Sequence, residues 1–153
     1  MQILKNKKGM AYILTCVIVL IGMMMISVLL QYVSVRSTII SQKDAVQMKL
    51  DSVVVKSAME NYDALRQGSL YQDHLDYLKL EQDAYAALGF FDPDIETVRE
   101  NLYTMNRPQI IRITEDGFGL TVKYELEVPF VVMGIHYGEI TVPITLISKF
   151  TEK

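Results

Sequence analysis

Residues 10–33 contain no charged side chain, residues 23–67 contain neither proline nor glycine, and no acidic residue comes before Asp44. Each absence excludes something. Without charge, the first run has nothing that resists burial in lipid. Without proline or glycine, the following stretch has nothing that must break a helix. The only cysteine, Cys16, lies inside the uncharged run, so the rest of the chain folds on an apolar core with no internal disulfide. Too few apolar residues precede Cys16 in Ile13-Leu14-Thr15-Cys16 for a lipoprotein signal, which leaves it a small span-facing hydrophobe.

What is present fits those exclusions. At about 1.5 Å per residue the uncharged run is about 36 Å long as a helix, enough to cross a hydrocarbon core of about 30 Å with modest tilt. Tyr12 and Tyr32 stand near its ends, where aromatic rings favour the membrane interface. A cleaved secretory signal would have a shorter apolar core and a small-x-small site, whereas this run leads into Gln31-Tyr32-Val33-Ser34-Val35-Arg36. Lys5, Lys7 and Lys8 place the N-terminus on the cytoplasmic side and the remainder outside, as a single-pass protein of the cell membrane. From Ser34 onward 12 basic residues face 18 acidic ones, a formal balance of −6. That sign argues against nucleic acid as a partner, and against a lipid-surface role for the outer domain.

Beyond Val33, apolar residues Val35, Ile39, Val46, Leu50, Val53, Val54, Ala58, Tyr62 and Leu65 recur mainly at helical steps, with Lys43, Asp44, Lys49, Asp51, Lys56 and Glu60 between them. The span therefore continues as a helical stalk, although Val53-Val54-Val55 favours strand locally. Gly68-Ser69 reads as a stop and a new N-cap, opening a second helix that ends at Gly89. Asp92-Pro93-Asp94 reads as the start of a short helix through about Tyr103. The period then changes to two. Ile111 and Ile113 precede the turn signal Glu115-Asp116-Gly117, Phe118 to Val128 alternate, a loop is expected near residues 134–138, and Ile140, Val142, Ile144 and Leu146 form a further strand. Pro129 and Pro143 belong at a strand end, an edge or a bulge. The expected fold class is α+β: a long N-terminal transmembrane and stalk helix, further short helices and a C-terminal antiparallel β-meander of three or four strands. The expected divisions are a basic tail over 1–9, the membrane helix over 10–33, the stalk over 34–67 and the extracytoplasmic domain over 68–153.

Lys7-Lys8-Gly9-Met10-Ala11 resembles the basic-glycine junction cut by prepilin peptidases, and Val122-Lys123-Tyr124-Glu125-Leu126-Glu127-Val128-Pro129-Phe130 resembles a late strand-to-proline segment. With the apolar helix, the amphipathic continuation and the distal meander, the chain resembles the TadE-like minor pseudopilins of bacterial tight-adherence (Tad) pili, a type IV pilin-like group. The resemblance implies a junction at Gly9 and Met10, with a prepilin peptidase, other pilin-like subunits or assembly-platform proteins as partners alongside membrane lipid. Where that group commonly has a glutamate a few residues past the junction, this chain has Leu14 and Thr15. Both a processed fibre subunit and an uncleaved accessory component remain open.

Chemistry-bearing residues are sparse. His74 lies among Asp73, Asp76 and Glu81 without a second histidine or a cysteine, so a solvated helix face explains it better than metal. Asp92, Asp94 and Glu96 lack the glycine and distal glutamate of a calcium loop. His136 has no nucleophile in a recognisable context, and Met23-Met24-Met25 point around a helix rather than converge. There is no phosphate-binding glycine loop, nucleophile elbow or zinc signature. The expectation is a non-enzyme with no cofactor and no catalytic or metal site. Two functions stand: a structural subunit of a pilus or secretion assembly, and a membrane-anchored binding or sensory module. Nine residues ahead of the span leave no room for a cytoplasmic output domain, which favours the first.

The topology is testable in intact cells. An impermeant thiol reagent should label a Ser69→Cys variant while a Lys5→Cys variant stays protected until lysis, and the reverse pattern would overturn the orientation.

Overall fold

A computed structural model describes residues 7–60, 77–113, 118–132 and 134–150. Helix α1 runs Lys7–Glu60, and helix α2 runs Tyr77–Ala87. Five strands follow: β1 Thr97–Arg99, β2 Thr104–Asn106, β3 Gln109–Ile113, β4 Phe118–Val132 and β5 Ile135–Phe150. The class is α+β, with one long apolar helix, one short helix and an antiparallel sheet.

At 54 residues, α1 is about 81 Å long. It is long and apolar enough to cross a membrane, and its apolar window is wholly uncovered by the rest of the chain. Residues 53–55 stay helical. Val54 is buried against the sheet, Val53 is half-buried and Val55 faces out, so packing of the inward face outweighs the strand preference of the triplet. The helix continues at least to Glu60; Tyr62, Leu65 and the Gly68-Ser69 junction lie outside the described residues.

The sheet is a meander once register is followed. β3 pairs with β4 through Gln109↔Lys123, and β2 pairs with β4 through Met105↔Leu126. The two pairings differ by one residue, so β2 and β3 form one line along the same edge of β4, interrupted at Arg107-Pro108. A proline that cannot donate to the ladder thus sits at a bulge. β1 hairpins onto β2, and β5 lies along the other edge of β4. Pro143 is on β5, whose one described strand partner is β4, and Pro129 falls beyond the stretch of β4 that β2 covers. Both prolines occupy positions where a missing donor costs little.

Alternation along β4 puts Phe118, Leu120, Val122, Tyr124, Leu126 and Val128 inside, with Lys123 and Glu125 exposed. Ile144, Leu146 and Ser148 extend this inner face on β5. Val46, Leu50, Val54 and Ala58 of α1 cover it, and Leu80, Ala84 and Leu88 close one side. Each fully buried Leu contributes about 1.5–3 kcal/mol by leaving water. Gly119 is fixed by close approach: a Cβ there would run into the Ser148 carbonyl oxygen and lie 2.8 Å from the Lys149 Cα.

Two expectations need correction. The second helix ends as foreseen, with Gly89 at φ 93°. The Gly89 N–H donates to the Ala86 carbonyl at 3.0 Å and the Phe90 N–H to that of Tyr85 at 2.9 Å, a Schellman cap. The helix expected from Asp92 to about Tyr103 is absent. There the Asp94 N–H bonds the Asp92 carboxylate at 3.1 Å, the Ile95 N–H bonds the Asp92 carbonyl at 3.1 Å, and β1 and β2 follow. Arg107 Nη1 donates to the carbonyls of Asp92, Pro93 and Ile95 at 2.9, 2.9 and 3.0 Å. Those are acceptors a helix would need for its own ladder, so a distant guanidinium holds the segment as a turn. The reversal expected near residues 134–138 falls at the very start of that stretch, since Val132 pairs with Ile135 and β5 already starts there. Gly138, at φ 140°, sits beside a register shift between Phe130 and Val131, so it serves a bulge rather than the reversal. The Glu115-Asp116-Gly117 turn signal lies outside the described residues.

Because Leu126 is fully buried and Glu125 points outward, Leu126→Ala should cost about 2–5 kcal/mol and Glu125→Ala no more than about 0.5 kcal/mol. Denaturant unfolding of the full chain in detergent measures both, and equal effects would contradict this facing.

Candidate functional site

Among the described residues, the features open to a partner are exposed apolar faces and shallow grooves. The anticipated junction falls at the start of α1, where Gly9 is half-buried and Met10 exposed. Cys16 and Met23 to Met25 are exposed along the apolar helix. Among the described residues no three His, Cys, Asp or Glu side chains come together as a metal site. His74, Asp73 and Asp76 lie outside the described residues, whereas Glu81 pairs with Arg112 of β3 at 3.2 Å. Asp92 caps its own turn, and His136 is exposed on β5.

Outside the apolar run, α1 has two apolar faces. One is the core face already described. The other carries Ile40, Met48, Val55 and Met59, with Met48 and Met59 73% and 71% exposed. Their eight-, seven- and four-residue steps keep them on one side of the helix. An open concavity of about 640 Å³ runs along part of this side, lined by Val33, Arg36, Ile40, Asp44 and Met48 among others. The sequence pattern signalled the core face and not this one, because isolated methionines among lysines and aspartates read as a wet surface.

A polar clamp fixes α1 to the sheet and so sets how this second face is presented. Ser148 Oγ, buried, donates to Asp51 Oδ1 at 2.6 Å, while Gln47 Nε2 donates to the same oxygen at 2.8 Å and to the Ile147 carbonyl at 3.2 Å. At the end of α1, Glu60 meets Lys79 of α2 at 2.7 Å; the hydrogen bond and charge of Lys79 lower the Glu60 carboxyl below its usual range. Arg112 also lies over the Tyr77 ring at 5.9 Å, and burial raises the Tyr77 hydroxyl while that guanidinium opposes the rise.

Arg107 was not recognisable from sequence as anything but a boundary. Besides its three carbonyls, its guanidinium stacks over Tyr85 at 4.8 Å and Phe90 at 5.9 Å, and the Tyr85 hydroxyl donates to the Pro108 carbonyl at 3.1 Å. Two further tyrosines lie under α1. Burial, reinforced by a hydrogen bond to Glu100, raises Tyr103 well above the usual phenol range, while a hydrogen bond to Gln42 works against it. Tyr124 is pushed up to about 12 by burial alone, and its hydroxyl is buried with no hydrogen-bond partner.

No protein-family model, curated protein or solved structure matches this chain.

Tyr124 gives a pH-dependent test. Its folded pKa exceeds the ordinary phenol value of 10, so its contribution to stability is intact below about pH 10 and lost as pH rises towards about 12. Tyr124→Phe should flatten that alkaline decline and, by removing an unpaired buried hydroxyl, leave stability at pH 7 unchanged or raised by about 1 kcal/mol. Chemical denaturation across pH 7–12 reads both effects; an unchanged alkaline slope would refute the assignment.

Proposed function

We propose that this chain is a pilin-like or accessory structural subunit of a Tad or type IV-like pilus or secretion assembly, held by one membrane helix with its N-terminus in the cytoplasm and its α+β domain outside. The observation that carries this reading is the second apolar face of α1. Ile40, Met48, Val55 and Met59 lie beyond the charge-free run and are left uncovered by the chain's own sheet. An apolar stripe continuous with a membrane helix suits packing against the helices of neighbouring subunits. The clamp at Asp51 supports the same reading, because it holds the domain against one face of α1 and leaves the opposite face open. In this role the outer domain makes lateral contacts and the chain performs no chemistry of its own.

The competing function, a membrane-anchored binding module, draws on the outer face of the sheet. There Ile111 and Ile147 are exposed on either side of Thr121 in one cross-strand row. The two readings put the partner on opposite sides of the domain.

A photo-crosslinking benzoylphenylalanine placed at Ile40, Met48 or Met59 should cross-link to a pilin-like subunit or platform protein in the native membrane, while one at Ile147 should not. Cross-linking confined to the Ile147 variant would favour the binding module. Intact mass then separates the two structural versions: a chain starting at Met10 is a processed fibre subunit, and one retaining Lys5 to Lys8 is an anchored accessory component.

A further inference from the structure

We infer that the β1–β2 turn is a membrane-surface contact: Leu102 at its tip enters the headgroup–acyl boundary of the leaflet from which α1 emerges. The inference rests on α1 crossing the bilayer and goes beyond the assembly role.

The boundary is located by charge. The apolar span ends at Val33 and the first charge after it, Arg36, follows within one helical turn, so hydrocarbon gives way to headgroups between them. Leu30 and Val33 belong to the last turns of that run. They line one end of an open groove of about 650 Å³ whose opposite wall is Glu100, Leu102 and Tyr103. The turn between β1 and β2 therefore stands beside the stretch of α1 from Leu30 to Ala45, whose near end is where the helix leaves the lipid. It is closed by the Glu100 N–H donating to the Tyr103 carbonyl at 2.9 Å, and Tyr103 is packed against the core and lines the same groove as Gln42 of α1, so the turn is held beside the helix. Leu102 nevertheless remains 64% exposed. An apolar side chain fixed at a lipid boundary loses contact with water by entering it.

The groove's chemistry favours a lipid surface over a second protein helix. Ser34, Ser37 and Ser41 line it, with Glu100 on the opposite wall and exposed Arg99 next to Glu100 in the chain. Hydroxyl and guanidinium donors suit phosphate-ester oxygens at the hydrated headgroup level. The net charge of −6 after Ser34 opposes free adsorption to an anionic membrane. Here the span supplies the attachment, and the turn has only to touch a surface already beside it. Helix and turn then form a two-point mount that fixes the tilt of the outer domain.

The chain contains no tryptophan, so one introduced indole reports alone. Full-length Leu102→Trp, with Asn101→Trp as a second tip variant, would be placed singly in nanodiscs of phosphatidylcholine and phosphatidylglycerol. Leu20→Trp marks the span. Lipids brominated high on the acyl chain should remove most of the Leu102→Trp emission, those brominated near the chain end should remove little, and Leu20→Trp should show the opposite order. If Leu20→Trp is quenched while both tip variants are untouched and open to iodide, the turn does not meet lipid and the inference fails, leaving the span intact. If no variant is quenched, the span reading and the inference fail together. A tip indole shielded from iodide but not quenched by bromine is covered by protein, which also overturns the lipid contact.

Discussion

Leu120, Val122, Leu126, Ile144 and Leu146 make one face of a small sheet apolar, and the surface that keeps most of that face dry is the distal half of a helix whose proximal half is itself apolar on all sides. The sheet cannot exist as a folded unit in water without α1, and α1 in turn gains its amphipathic character only where the sheet covers it. Removing the stalk would therefore expose the core rather than release a domain. Position along α1 decides the surroundings of each side chain: lipid-like exposure through Val33, a sheet from Val46 to Ala58, and the transition between them near Val35 and Ile39.

Periodicity was a good guide where one contact dominated. β4 alternates because one face meets α1, and that alternation is visible residue by residue from Phe118 to Val128. The helix was visible for the complementary reason, since nothing between Met23 and Gln67 could interrupt it. The errors arose where a residue far along the chain decides local structure. Asp92-Pro93-Asp94 has sound helix-starting chemistry, but Arg107 takes the carbonyls. Gly134 and Gly138 have turn chemistry, but only the residues before Ile135 are used to reverse the chain. The uncovered methionine face of α1 was illegible for another reason: amphipathic patterns reveal the face with most apolar residues, and a sparser second face is lost among the charges.

The proposed junction at Gly9 and Met10, the uncovered face of α1 and the turn at Leu102 bear on one another through geometry. All three belong to or adjoin the same helix, and none requires a preorganised polar cavity. Among the described residues, buried Ser148 joins Asp51 and half-buried Tyr85 joins the Pro108 carbonyl, each tying two elements together. The buried Tyr124 hydroxyl serves neither a clamp nor a capping role.

The continuity of α1 through Val33, with no proline or glycine between Gly22 and Glu60, has a mechanical consequence. A stiff rod clamped to the sheet at Gln47 and Asp51 has no joint at which twist can be absorbed. Any rotation imposed on the apolar segment by its neighbours must turn the outer domain through the same angle. In the proposed assembly, the azimuth at which the apolar helix docks would set the compass direction of a sheet tens of ångströms away, and a register error in the membrane would reappear outside it as a misdirected surface.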